Sequence, residues 1–115
     1  MTMNPLDTSV LAELSQTTGA EFVAELVQTF LTDAPVMIAD LKTAAATDDQ
    51  DGFRRAAHSI KSNANIFGAT ALAEVARALE LRGLAQGQES AADWQGEVDA
   101  AYTQAAAALE AYVNA

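Results

Sequence analysis

The sequence predicts an all-α protein: an antiparallel four-helix bundle with an additional short N-terminal helix over one end. Three observations carry this. Alanine, the best intrinsic helix former, makes up about a quarter of the 115 residues, while aromatic residues are only 6%. Apolar residues recur at alternating spacings of four and three along the longer segments, the period of a helix with one buried face. The connections between these segments are short, and amphipathic helices so joined pack most simply up-down-up-down.

The first helix opens at Asp7, a good N-cap, with Leu6 placed to pack on Leu11 as a hydrophobic staple, and should run to about Gln16 before Gly19. The second and longest carries Val23, Val27, Phe30, Ala34, Met37, Leu41 and Ala44 on one stripe. Pro35 lies inside it, lacks an N–H and crowds the preceding turn, so a kink or short break is expected near Thr32 to Pro35; the unbroken phase of the stripe favours the kink. Asp48, Asp49, Gln50 and Asp51 offer capping oxygens and negative charge, which start the third helix near Asp49. Its stripe is Phe53, Ala57, Ile60, Ala64 and Phe67, and Gly68 is its natural stop. Thr70 is the expected cap of a fourth helix that turns Leu72, Val75, Ala76 and Leu79 inward, followed by a loop around Gly83 and Gly87. Ser90 with Asp93 resembles a capping box, and Trp94, Val98, Ala101, Ala105, Ala108 and Tyr112 form the stripe of a last helix that runs almost to Ala115.

A chain of this length fits one domain, residues 1–115. The net charge of -10 repels phosphate backbones and anionic lipid head groups, which argues against nucleic-acid and membrane partners. With no cysteine and a single histidine, thiolate chemistry, disulfides and multi-histidine metal sites are excluded. No uninterrupted apolar run approaches the ~18 residues of a membrane span, and Met1 to Val10 lacks a secretory-signal profile. A cytoplasmic monomer without a metal of its own is the expectation.

The one histidine concentrates the chemical interest. At about 100° per residue, Phe53, Ile60 and Phe67 fall near the side of the helix opposite His58, which directs the imidazole to solvent. Arg54, Lys61, Ser62 and Asn65 share its side, with Arg55 and Asp51 close by. Three of the six basic residues, Arg54, Arg55 and Lys61, thus lie within four positions of His58, a local cationic patch suited to an anion. A neutral imidazole has one unprotonated nitrogen, a competent nucleophile, and neighbouring cations can stabilise a phosphoryl group carried there. The bland alternative is an ordinary solvated helix face.

Residues 56–69, AAHSIKSNANIFGA, closely resemble the signature of histidine-containing phosphotransfer (HPt) domains, in which a lysine follows the histidine by three residues and a glycine by ten. His58, Lys61 and Gly68 match, and Ile60 matches the aliphatic residue between histidine and lysine. Where the family often has glycine after the lysine this chain has Ser62, still small enough to leave a partner access. The resemblance implies a kinked helical bundle of this length and a relay. In that relay His58 accepts a phosphoryl group from the aspartyl phosphate of a receiver domain and hands it to another receiver aspartate. Lys61 would stabilise the phosphoryl charge, and Arg54, Arg55, Ser62 and Asn65 would line the docking surface or the phosphoryl environment. Partners would be receiver domains of response regulators and hybrid histidine kinases, which bring Mg²⁺ and a lysine of their own.

Three rivals stand beside it. The phosphoacceptor helix pair of a histidine kinase commonly has an acidic residue after its histidine, where this chain has Ser59, and no Gly-rich nucleotide loop is present. A helical adaptor that binds a receiver or another helix and never carries phosphate would make the setting of His58 coincidental. A self-contained hydrolase lacks a convergent pair of acidic residues.

Overall fold

A computed structural model describes residues 6–84 and 91–114, the side chains of 91–93 excepted. The described residues form five helices, α1 (Thr8–Thr18), α2 (Ala20–Ala46), α3 (Gln50–Ile66), α4 (Thr70–Arg82) and α5 (Ala91–Asn114). The four longer ones form a ring in which α2 packs on α3, α3 on α4, α4 on α5 and α5 on α2. Direction follows from the contacts between ends. The side-chain oxygen of Gln50, which opens α3, accepts a 2.7 Å hydrogen bond from the backbone of Leu84, just past α4. Trp94, near the start of α5, meets Phe53 edge-on at 5.3 Å.

Capping begins α1 as expected: the Asp7 carboxylate accepts from the Ser9 N–H at 3.1 Å, and Leu6 and Leu11 are both buried. The helix extends to Thr18, and Gly19 alone separates it from α2. At the other end of α3, Gly68 takes a left-handed φ of 69° while Ala69 N–H bonds back to Ala64 at 2.9 Å, a Schellman turn. The Gly68 carbonyl then accepts from Asp7 N–H at 2.7 Å, which ties α1 to the α3–α4 turn. A Cβ at position 68 would stand 2.5 Å from the Asp7 carbonyl oxygen, so glycine is required both by conformation and by the approach of α1.

Pro35 does not break α2, which is helical throughout. Proline cannot donate to the Leu31 carbonyl one turn earlier, and the Tyr102 hydroxyl of α5 donates to that oxygen instead, at 3.4 Å. The Tyr102 ring lies 6.1 Å from Phe30, which also packs at 5.1 Å on Phe67. By length and composition alone α2 could cross a membrane, with a mean hydropathy of 1.3 over its most apolar window; here Val23, Val27, Phe30, Ala34, Ile38, Leu41 and Ala44 are buried in the bundle.

Several expectations are corrected. Ile38, not Met37, completes the core stripe of α2, because steps of three-then-four and four-then-three suit a helix equally; Met37 lies half-buried toward α3. Thr70 is the first helical residue of α4 rather than its cap, since the Schellman turn leaves only Ala69, which makes no side-chain cap. α4 faces both α3 and α5, so Ala73 is buried with Leu72, Ala76 and Leu79, and Val75 sits at the edge. In α5 the step after Ala105 is four, which places Leu109 inside and leaves Ala108 and Tyr112 half-buried. Gly87 and the Ser90–Asp93 capping box lie outside the described residues or side chains. The stripe of α3 is buried as read.

Tyr102→Phe should lower stability by about 0.5–1 kcal/mol, through loss of the hydroxyl offered to the Leu31 carbonyl. The cost should shrink in a Pro35→Ala background, where a backbone N–H returns to that oxygen. Urea denaturation of the four-membered cycle checks this; equal costs in both backgrounds would show that the hydroxyl does not compensate the proline.

Candidate functional site

His58 sits midway along α3 on the face opposite Phe53, Ile60 and Phe67, with 58% of its side chain exposed. Its imidazole is held from the neighbouring helix: Nδ1 lies 2.8 Å from Oε2 of Glu80 on α4. A carboxylate only accepts, so Nδ1 carries the proton, and in the neutral ring the lone pair is on Nε2. Nε2 has no hydrogen-bond partner among the described residues. The other oxygen of the same carboxylate, Oε1, accepts from Lys61 Nζ at 2.8 Å. Glu80 therefore bridges the histidine and the lysine that stands one turn beyond it.

A carboxylate from α4 is thus set among the charges of the cationic patch read from α3. The Glu80 carboxyl is held below the usual carboxylate range, chiefly by the hydrogen bond from Lys61 and next by that from His58, against a lesser opposing effect of burial. Sequence reasoning missed Glu80 because it lies 22 residues away on another helix. The signal that could have found it is the hairpin: His58 and Glu80 stand eleven residues on either side of Ala69, and Lys61 and Arg77 eight on either side. A tight antiparallel turn there places such pairs abreast. Arg77 indeed lines one depression with Arg54, Lys61, Glu80 and Leu81.

Arg54 and Arg55 flank the approach to the imidazole, lining a second shallow depression with His58, Ser59 and Glu80. Neither arginine has an ion-pair partner among the described residues. Arg54 lies along α4, where Gly83 ends the helix with φ 70°; a Cβ at Gly83 would come within 3.1 Å of the guanidinium nitrogens Nε and Nη2. Arg55 turns to the other side, where a groove between α2 and α3 is lined also by Met37, Asp40 and Ser59. Ser62 and Asn65 continue the exposed face of α3 beyond His58, and the imidazole is hydrogen-bonded to Glu80, not to the Asn65 amide. Asn63 instead faces α2, with its amide donating to the Ser59 carbonyl at 2.8 Å and lying 3.8 Å from the Met37 sulfur. Among the described residues no three His, Cys, Asp or Glu side chains gather where a metal could sit. Chemically, the arrangement offers an accessible imidazole nitrogen of defined tautomer, a carboxylate behind it and cations to either side.

Because the folded pKa of Glu80 lies below its unfolded value, its contribution to stability is full above the ordinary carboxyl range and is lost as the pH falls through the folded value. Glu80→Gln should melt below wild type at pH 7, with the difference closing in acid. Thermal unfolding followed by circular dichroism across pH checks this; a difference independent of pH would assign the effect to packing.

The family model for the Hpt domain matches residues 25–112, from within α2 to near the end of α5, and so includes His58, Lys61, Gly68 and Glu80. No curated protein and no solved structure matches the chain. A match over most of a helical chain, with a lone histidine exposed at the middle of its third helix, places the protein in the Hpt domain family, the modules of histidine phosphotransfer in two-component phosphorelays.

Proposed function

We propose that Nε2 of His58 accepts a phosphoryl group from the aspartyl phosphate of one receiver domain and passes it to the aspartate of another. At the family level Hpt domains are phosphocarriers that meet response-regulator receivers, and are not enzymes with a catalytic site of their own. The observation that carries the residue-level reading is the hydrogen bond from His58 Nδ1 to Glu80, which leaves the outward nitrogen as the nucleophile. In the forward step the Nε2 lone pair attacks phosphorus, the bond from phosphorus to the receiver's carboxylate oxygen breaks, and that carboxylate leaves with the electron pair. The reverse step returns the phosphoryl group to an aspartate. Phosphorylation adds a charge of about -1.5 to -2 at neutral pH, which Lys61 and Arg54 are placed to meet. Phosphoryl transfer depends on positioning and charge neutralisation, so a nucleophile and a few cations suffice on this side; Mg²⁺ belongs to the receiver. Docking uses the exposed face of α3, where Ser62 and Asn65 are small, with Ile66 and Leu81, 50% and 68% exposed, as apolar contacts.

Incubation with a panel of phosphorylated receivers tests the assignment. Wild type should take up an acid-labile label, and His58→Gln should keep its helicity and take up none. Label retained by the variant, or no transfer to wild type from any receiver, would overturn it.

Asn65→Trp should leave the bundle folded, since position 65 is exposed opposite the core, yet weaken receiver binding by roughly tenfold or more, as for bulk forced into an interface. Titration calorimetry with a receiver that phosphorylates wild type checks this. Unchanged affinity would move the docking surface elsewhere.

A further inference from the structure

We infer that Glu80 sets the transfer potential of the phosphorylated protein, acting through His58 and Lys61 to keep the phosphoryl group easy to release. The inference rests on the reading of His58 as the phosphoacceptor. One carboxylate serves two neighbours, at 2.8 Å from His58 Nδ1 and 2.8 Å from Lys61 Nζ, and each contact bears on the stability of a phosphoryl group at Nε2.

When Nε2 bonds to phosphorus the ring still carries its Nδ1 proton, and it becomes positively charged. Glu80 lies against that charge and favours retention of the proton. A phosphorylated ring that keeps the proton expels its phosphoryl group as a neutral imidazole. Without that proton it would have to leave as imidazolate, a far poorer leaving group. Glu80 thus holds the ring in the more reactive of its two forms. The second contact works in the same direction. Lys61 is the cation one turn from His58, and while it is bonded to Glu80 the phosphoryl oxygens must compete for it. The carboxylate also repels the dianion directly. Among the described residues, Arg54 and Arg55 on α3 and Arg77 on α4 are the other charges lining the depressions around the imidazole and Lys61. They are common to every variant that changes position 80.

Glutamine separates charge from contact. Its amide oxygen can still accept from Nδ1 and orient the ring, while the proton is held less firmly and Lys61 is released toward the phosphoryl group. Glu80→Gln should therefore stabilise the phosphorylated form. A positioning role confined to holding the ring in place would give the opposite result, with transfer slowed in both directions and no gain at equilibrium.

The experiment compares wild type, Glu80→Gln, Glu80→Asp, Lys61→Ala and the Lys61→Ala/Glu80→Gln double variant against one phosphorylated receiver. It measures the phosphorylated fraction at equilibrium and, after removal of the receiver, the rate of phosphohistidine loss. Glu80→Gln should raise the equilibrium constant for the phosphorylated protein roughly three- to tenfold and slow the loss by a similar factor, the scale of one partly exposed charge pair. Glu80→Asp, which keeps the charge, should fall between wild type and Glu80→Gln. The gain should be smaller in the Lys61→Ala background, because part of it comes through the Lys61 contact. A labelled wild type with an equilibrium unchanged or lowered by Glu80→Gln overturns this inference alone. A wild type that no receiver labels overturns the phosphoacceptor assignment and this inference with it.

Discussion

The turn at Gly68 and Ala69 is the constraint on which the other arrangements depend. A left-handed residue followed by a single connecting residue returns the chain along α3 with no slack, so the register between α3 and α4 is set at one point. Glu80 falls beside His58 and Lys61, and Gly83 beside Arg54. The Gln50 side chain closes the far end of the hairpin on the Leu84 backbone. The same turn receives α1 through the Asp7 N–H, so local conformation, helix pairing and the seating of the N-terminal helix share one residue. An insertion of one residue there would rotate every position of α4 by about 100° and carry Glu80 off the imidazole.

Much of the fold was legible in the sequence because it rests on local rules: caps at Asp7 and Asp49, the stop at Gly68 and the heptad-like stripe of α3. Two of the errors, Met37 against Ile38 and Ala108 against Leu109, are choices between adjacent residues at the edge of a buried face, while Ala73 is buried because α4 faces two helices and Thr70 loses its capping role to the turn before it. Periodicity locates such a face only to within about one residue, and the packing partner decides the rest. The face of α3 that bears His58, Arg54, Lys61, Ser62 and Asn65 was legible for the same reason, since those residues share one helix. Glu80 and Arg77 were not, because their relation to His58 exists only once the hairpin has its register.

The distribution of charge reconciles an acidic protein with a proposed site for a dianion. The net charge of -10 is a long-range average, whereas Arg54, Arg55, Lys61 and Arg77 line the depressions beside His58 and Glu80 and act there at short range, where salt screens less. The exposed ion pair between Lys42 and Asp99 joins α2 to α5 at 2.8 Å and belongs to the scaffold. Among the described residues the charged groups lining the depressions beside His58 and Lys61 come from α3 and α4, while α2 and α5 supply core and, through Tyr102, a hydrogen bond to the carbonyl that Pro35 leaves open.

The edge-on contact between Trp94 and Phe53 also gives the molecule an optical probe. Trp94 is the sole tryptophan, is buried, and touches a residue in the first turn of α3, five positions before His58. Its emission therefore reports whether the start of α5 is seated on the helix that carries the imidazole. Because the indole is shielded from solvent, a mobile quencher reaches it only when that seat opens. Fluorescence can thus distinguish a partner that docks on the intact bundle from one that pries α5 from α3, without a label near the histidine.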